Sequence, residues 1–259
     1  MSHRLAIVGL TAAAIVSFSV VVSNQQVRVP GAQYDPDFPN EKPEPAPRRD
    51  LTGITQTAVS KYVLVVAPAT GLNSLKDLLA LARAKPGQLN FSSAGVGSGT
   101  HFAGELLKSM AKIDVLHVPF KGIPEAMTEA MTGRAQFFMS PIASAVSLVR
   151  GGKVRGLGVS SLQRDALLPD VPTIAEAGVP GYDSILWFGL LTAGKTPRPL
   201  VNLLNKEVTR ILVDPETRRR WVPIGLETSP TSPAAFDKII AADIATFTKL
   251  ARAGNIKAQ

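Results

Sequence analysis

The chain has 259 residues, 45% of them hydrophobic and only 19% charged, a balance that builds a real core and excludes an intrinsically disordered chain. Its formal charge of +8 raises nucleic acid as a partner, but the basic runs, Arg48-Arg49 and Arg218-Arg219-Arg220, carry no interleaved aromatic residues to stack on bases, so nucleic-acid binding is set aside. Cysteine is absent, which removes disulfides, thiolate metal sites and a lipid-modified cysteine from consideration.

Residues 1–23 open with His3 and Arg4, run apolar from Leu5 to Val22 and end on small side chains, the pattern of a signal peptide or, uncleaved, an N-terminal anchor. Either makes the body exported and periplasmic. Residues 24–49 are too rich in proline for helix or central strand and read as a linker. Tyr62 to Ala67 is a continuous β-rich run, closed by Pro68, that suits a strand covered on both faces. A helix follows, opened by a capping box at Ser74 and Asp77, striped by Leu75, Leu78, Leu79 and Ala82, and stopped by Lys85-Pro86-Gly87.

The alternation then repeats, with strands predicted at 89–92, 115–118, 135–139, 154–160 and 186–193, and helices at 100–111 and 124–132. Thr173 and Glu176 form a second capping box, on a short helix ended by Gly178. Pro199, Pro215 and Pro233 each stand at the first position of a helix, and Phe236, Ile239, Ile240, Phe247 and Leu250 give the last helix an apolar face that must dock on a sheet. The fold class is α/β.

One segment stands out for chemistry: Ser92-Ser93-Ala94-Gly95-Val96-Gly97-Ser98-Gly99-Thr100-His101, a glycine-rich turn between strand and helix. Successive N–H groups, a helix N-terminus and hydroxyl side chains can hold a carboxylate or a phosphate. The alternative is a tight turn that allows close helix packing. The spacing is not that of a dinucleotide-binding loop, and the Lys-Ser/Thr ending of a phosphate-cradling loop is missing. His101 and His117 read as hydrogen-bonded structural histidines, since no clustered carboxylates or cysteines support a metal site. No nucleophile stands beside a base, so the chain reads as a non-enzyme without cofactor.

Several motifs in order carry a resemblance. They are Leu89 to Ser98, His117-Val118-Pro119-Phe120-Lys121-Gly122, Leu168 to Thr173, Glu176 to Tyr182, and Trp187-Phe188-Gly189. Together they resemble the Bug (TctC-like) family of extracytoplasmic solute receptors, which bind small carboxylates for tripartite tricarboxylate transporters or signalling systems. The resemblance implies a periplasmic-binding-protein-like (type II) two-lobed fold, with residues 50–88 and 194–259 in a partial first lobe and 89–193 in the second. It implies ligand contacts from Ser92, Ser93, Ala94, Gly95, Val96, Gly97, Ser98 and Thr100, with Phe120, Lys121 and Gly122 lining the cleft and Trp187 near the return crossing. Lys121 is either a charge partner for the anion or a lysine capping a turn.

The pattern also departs from that family, whose members begin with a strand, a glycine-rich loop and a long helix not matched here. Two further readings follow: a non-binding family remnant or interaction module, and a ligand-sensing regulatory domain. The second is disfavoured by an apolar leader where a helix-turn-helix would stand. Ser140-Pro141, in place of an aspartate, disfavours an amino-acid ligand.

Overall fold

One long strand, β1 (Leu51–Val66), organises the computed structural model, which describes residues 51–254 and 256. The leader and the whole linker, residues 1–49, lie outside the described residues. Residues 62–66 of β1 pair antiparallel with β4 (Phe137–Pro141) on one side and β5 (Arg155–Val159) on the other. Residues 51–61 pair instead with β6 (Ile185–Ala193), from Leu51 opposite Ala193 to Lys61 opposite Ile185. Sequence reading begins this strand only at Tyr62, because the apolar run begins there. The polar half stays extended because its buried side chains find partners on the C-terminal segment. Thr55 Oγ1 donates to Thr231 O (2.9 Å), Gln56 Nε2 to Ser229 Oγ (2.9 Å) and Ser60 Oγ to Gly225 O (2.8 Å).

The remaining strands complete the order β3-β2-β4-β1-β5, with β2 (Asn90–Ser93) parallel to both β3 (Leu116–Pro119) and β4. Alternation along β1 divides the core. Tyr62, Leu64 and Val66 join Phe91, Phe137 and the apolar faces of α1 (Leu75–Ala84) and α2 (Gly99–Ala111). Val63 and Val65 point the other way, into a layer formed with α3 (Ile123–Met131) and α4 (Ile142–Arg150). Leu75 and Leu78 thus share a core with Phe91 and Leu107, and α1 packs with the segment that follows it.

The C-terminal segment adds α5 (Arg198–Leu212), α6 (Pro215–Trp221), the short β7 (Glu227–Thr228) and α7 (Pro233–Ala253). Each helix starts with proline at its first or second position, as expected. Asn205 fixes α5 to the sheet by donating to Ile54 O and Thr231 O, both at 2.8 Å. Phe236 anchors α7 over β6, where a Cβ on Gly189 would lie 2.1 Å from the ring. Gly189→Ala is therefore expected to cost about 1–3 kcal/mol in urea unfolding, because the fully buried Phe236 has nowhere to retreat.

Two elements differ from expectation. Thr173 and Glu176 do exchange capping hydrogen bonds (3.0 and 2.9 Å), yet the segment makes one turn and no α-helix. Val159 N–H bonds to Pro172 O and Ile174 N–H to Val159 O, which hold this stretch extended beside β5. Conversely, β4 passes through Pro141 straight into α4, a helix with no loop to announce it. Among the described residues β6 pairs with β1 alone, and α5 leaves Leu200, Leu203 and Ile211 about half exposed. An open strand edge and an apolar stripe of this kind favour association with another surface.

Candidate functional site

The glycine turn lies at the C-terminal end of β2, where parallel strands present their ligands. Gly95 (φ 125°) and Gly97 (φ 75°) take conformations that L side chains rarely adopt, so glycine is required at both. The loop is held by its own hydroxyls. Ser98 caps α2, accepting from His101 N–H (3.2 Å) while donating to Gly95 O (2.7 Å). Because that bond uses the Ser98 proton, Thr100 Oγ1 must donate to Ser98 Oγ (2.9 Å), and Thr100 also accepts from Ala94 N–H (2.9 Å). Gly95 N–H donates to Ser93 Oγ at 3.1 Å. Among the described residues this leaves the N–H groups of Val96, Gly99 and Thr100 without a protein acceptor, the last two at the first turn of α2. Orphan donors with the partial positive charge of a helix N-terminus suit an anion.

Beneath the loop, parallel pairing of Phe91 with His117 brings the two histidines together. Their rings stack at 3.6 Å between centroids, with Phe91 beside both. His101 Nδ1 accepts from Gly97 N–H (3.0 Å), so the neutral ring carries its proton on Nε2. His117 Nε2 is hydrogen-bonded to Ser93 Oγ at 2.6 Å. Burial pushes His101 down to about 4, with the Lys108 charge adding to it, and burial pushes His117 down to about 3, helped by His101 and Lys108. Glu105 lies 3.8 Å from His101 Nε2 and would favour a charged ring, but Lys108 engages that carboxylate at 2.7 Å. Both histidines are the hydrogen-bonded structural residues expected, and together they set the loop's shape.

The other residues singled out from the sequence divide. Phe120 N–H donates to Ser93 O (2.9 Å), and its carbonyl lies 3.4 Å from a Cβ position on Gly95, so the segment after β3 abuts the loop. Gly122 caps α3, and Lys121 N–H donates to Glu125 (3.1 Å), while the exposed Lys121 ammonium makes no ion pair among the described residues. Ser92 is turned away, its Oγ donating to Ala126 O (2.8 Å) under α3. Trp187 on β6 donates from Nε1 to Asp243 of α7 and meets Phe236 edge-on. Its neighbour Leu186 comes within 3.9 Å of a Cβ position on Gly99. Sequence reading overlooked Asp243 and Tyr62, which carry no motif and reach this region only through the fold.

A mixed sheet flanked by helices, with a loop of unpaired N–H groups beside the strand that links its two parts, is the architecture of periplasmic binding proteins. Solved structures of that kind superpose on it. R. palustris Rpa4515 with adipate has a TM-score of 0.73 and 30% identity, over 81% of this chain and 70% of that one. MatC from Rhodopseudomonas palustris with bound malate has a TM-score of 0.68 and 27% identity, over 77% and 69%. The model of the tripartite tricarboxylate transporter family receptors matches residues 26–256, and the chain belongs to that family. Among curated relatives, a UPF0065 protein in the tcbD-tcbE intergenic region of Pseudomonas sp. (strain P51) is 34% identical over 203 residues, 78% of this chain and 60% of the relative. Protein BugT of Bordetella pertussis is 28% identical over 163 residues, 63% of this chain and 50% of the relative. The chain thus spans between half and two thirds of the length of these relatives.

Proposed function

We propose that the chain is an extracytoplasmic, non-catalytic receptor that holds a small organic carboxylate for a tripartite tricarboxylate-type transporter or signalling system. The observation that carries this reading is the glycine loop, whose N–H groups at Val96, Gly99 and Thr100 have no acceptor among the described residues and which is braced by a stacked pair of neutral histidines. The adipate and malate bound by the two structural neighbours belong to the same chemical class. Ala94, Gly95, Gly97 and Ser98 belong to the loop, Phe120 abuts it, and Lys121, Gly122 and Trp187 are proposed to line the cleft it faces. Export to the periplasm accords with the family, and among the described residues no helix is long and apolar enough to cross a membrane.

The pairing of β1 suggests where lobes divide: residues 62–184 form one, and 51–61 with 185–254 contribute to the other, crossing where β1 changes partners and where β6 begins. Thermal unfolding with a panel of millimolar di- and tricarboxylates tests the function. A ligand at a hundred times its Kd stabilises by about 2.7 kcal/mol, and a clear rise in midpoint for one class is expected. A cooperative transition that no carboxylate shifts would rule out a receptor and favour a non-binding interaction module. The open edge of β6 and the exposed stripe on α5 support that second reading.

A further inference from the structure

Tyr62 stands where β1 passes from its β6-paired half to its β4-paired half, opposite Pro141. It is only 3% exposed, and its ring packs in the core with Leu64, Phe91 and Tyr182. The hydroxyl reaches the first residue of α2, for a Cβ built on Gly99 would lie 2.2 Å from Tyr62 Oη. Glycine at this position therefore leaves room for a phenol that comes from another element.

Buried hydroxyls are as a rule hydrogen-bonded, and those around Tyr62 obey the rule. Tyr182 Oη donates to Ala103 O (2.8 Å), Ser160 Oγ to Ser184 O (2.6 Å), and Ser92 Oγ to Ala126 O (2.8 Å). Tyr62 bonds through its backbone N–H, to Ser160 Oγ, while its Oη makes no hydrogen bond to another described residue. Yet no fully enclosed side-chain polar atom lacks a partner among the described residues. The ring is therefore buried while the oxygen opens onto accessible space at the α2 N-terminus. Burial, reinforced by the nearby carboxylate of Asp243, holds the phenol well above its ordinary pKa, so it keeps its proton and remains a donor.

We infer that Tyr62 is a ligand-binding residue, whose hydroxyl donates to the bound carboxylate beside the N–H groups of Gly99 and Thr100. This inference rests on the receptor reading and names a side chain within it. An acceptor placed there would satisfy the phenol and the orphan donors of the helix together. The arrangement also links the ligand to the point where β1 changes partners, since the residue at that point is the one that touches it.

Calorimetric titration of the native protein and of Tyr62→Phe with adipate and with malate, at neutral pH, tests it. The variant keeps the ring and removes only the donor, and its affinity should fall by roughly ten- to a hundredfold, the usual loss for a hydrogen bond to a charged group. As a second measurement, the tyrosines are labelled with carbon-13 at Cζ. The chain has three, so the Tyr62 signal is assigned by its disappearance in Tyr62→Phe, and it should shift on saturation. Equal affinity of native and variant, or a Tyr62 signal unmoved by a ligand the native protein binds, overturns this inference and leaves the receptor reading standing. If the native protein binds neither acid, both fall.

Discussion

Phe91→Ala is expected to lower the free energy of unfolding by about 3–5 kcal/mol, the range for deleting an enclosed aromatic side chain. Phe91 is fully buried on the central strand β2 and is held from every side. It stacks on Phe137 at 5.2 Å and 9°, meets His117 at 5.0 Å, and receives the Lys108 ammonium 5.6 Å from its ring centre. From α2, Gly104 approaches so closely that a Cβ there would fall 2.3 Å from the ring. Elements this tightly placed relax little, so the cavity should persist and its cost should lie toward the upper end of the range. Urea denaturation monitored by circular dichroism measures the loss. A change below about 1 kcal/mol would mean that the sheet and α2 collapse into the gap, and that the packing described is not rigid.

Acid should destabilise the protein steeply, and the histidine pair is the reason. In an unfolded chain each ring titrates near about 6.5. In the folded protein His101 stays neutral until about pH 4 and His117 until about pH 3. Below about 6.5 the unfolded state thus binds protons that the folded state refuses, and stability falls as pH falls. It is fully present above that value. Each histidine contributes at most about 1.4 kcal/mol per pH unit, a slope reached only well below about pH 6.5, and screening by solvent reduces it further, so the pair is expected to remove several kcal/mol by about pH 4. The charged groups facing them are Glu105 and Lys108 of α2, which engage each other, and the two rings themselves oppose double protonation. Unfolding free energies at half-unit steps from pH 7.5 to 4.5 give the slope. His117→Phe keeps an aromatic ring in the stack and should remove about half of it. A slope unchanged by that substitution would assign the acid sensitivity to other groups.

The α/β rhythm was legible because most strands and helices here are short, apolar on a fixed period and closed by proline or glycine. Helix starts at Ser74, Asp214 and Ser232 were readable to the residue, since an N-cap side chain or a first-turn proline acts within three positions. The capping box at Thr173 shows the limit of such signals. Its hydrogen bonds form, but the backbone bonds between β5 and Pro172 and Ile174 outcompete propagation into a helix. Residues 51–61 escaped notice because their polarity is answered by residues 225–231, a complement that no local window contains. The candidate site divides in the same way. Its loop was recognisable from glycine and hydroxyl spacing alone, whereas the stacking of His101 on His117 depends on strand pairing and the aim of Tyr62 on a glycine in another element.

The two halves of β1 also set an order of assembly. Residues 62–66 find β4 and β5 within the next hundred residues or so, but residues 51–61 wait for β6, and Thr52 meets Gly194 across a separation of 142 positions. Residues 51–61 are therefore completed late, after nearly everything between has left the exit tunnel. Contacts of such long range slow folding and leave a strand unpaired meanwhile. Until β6 has been made, a chain whose β1 cannot yet close remains threadable for longer than one that folds as it emerges.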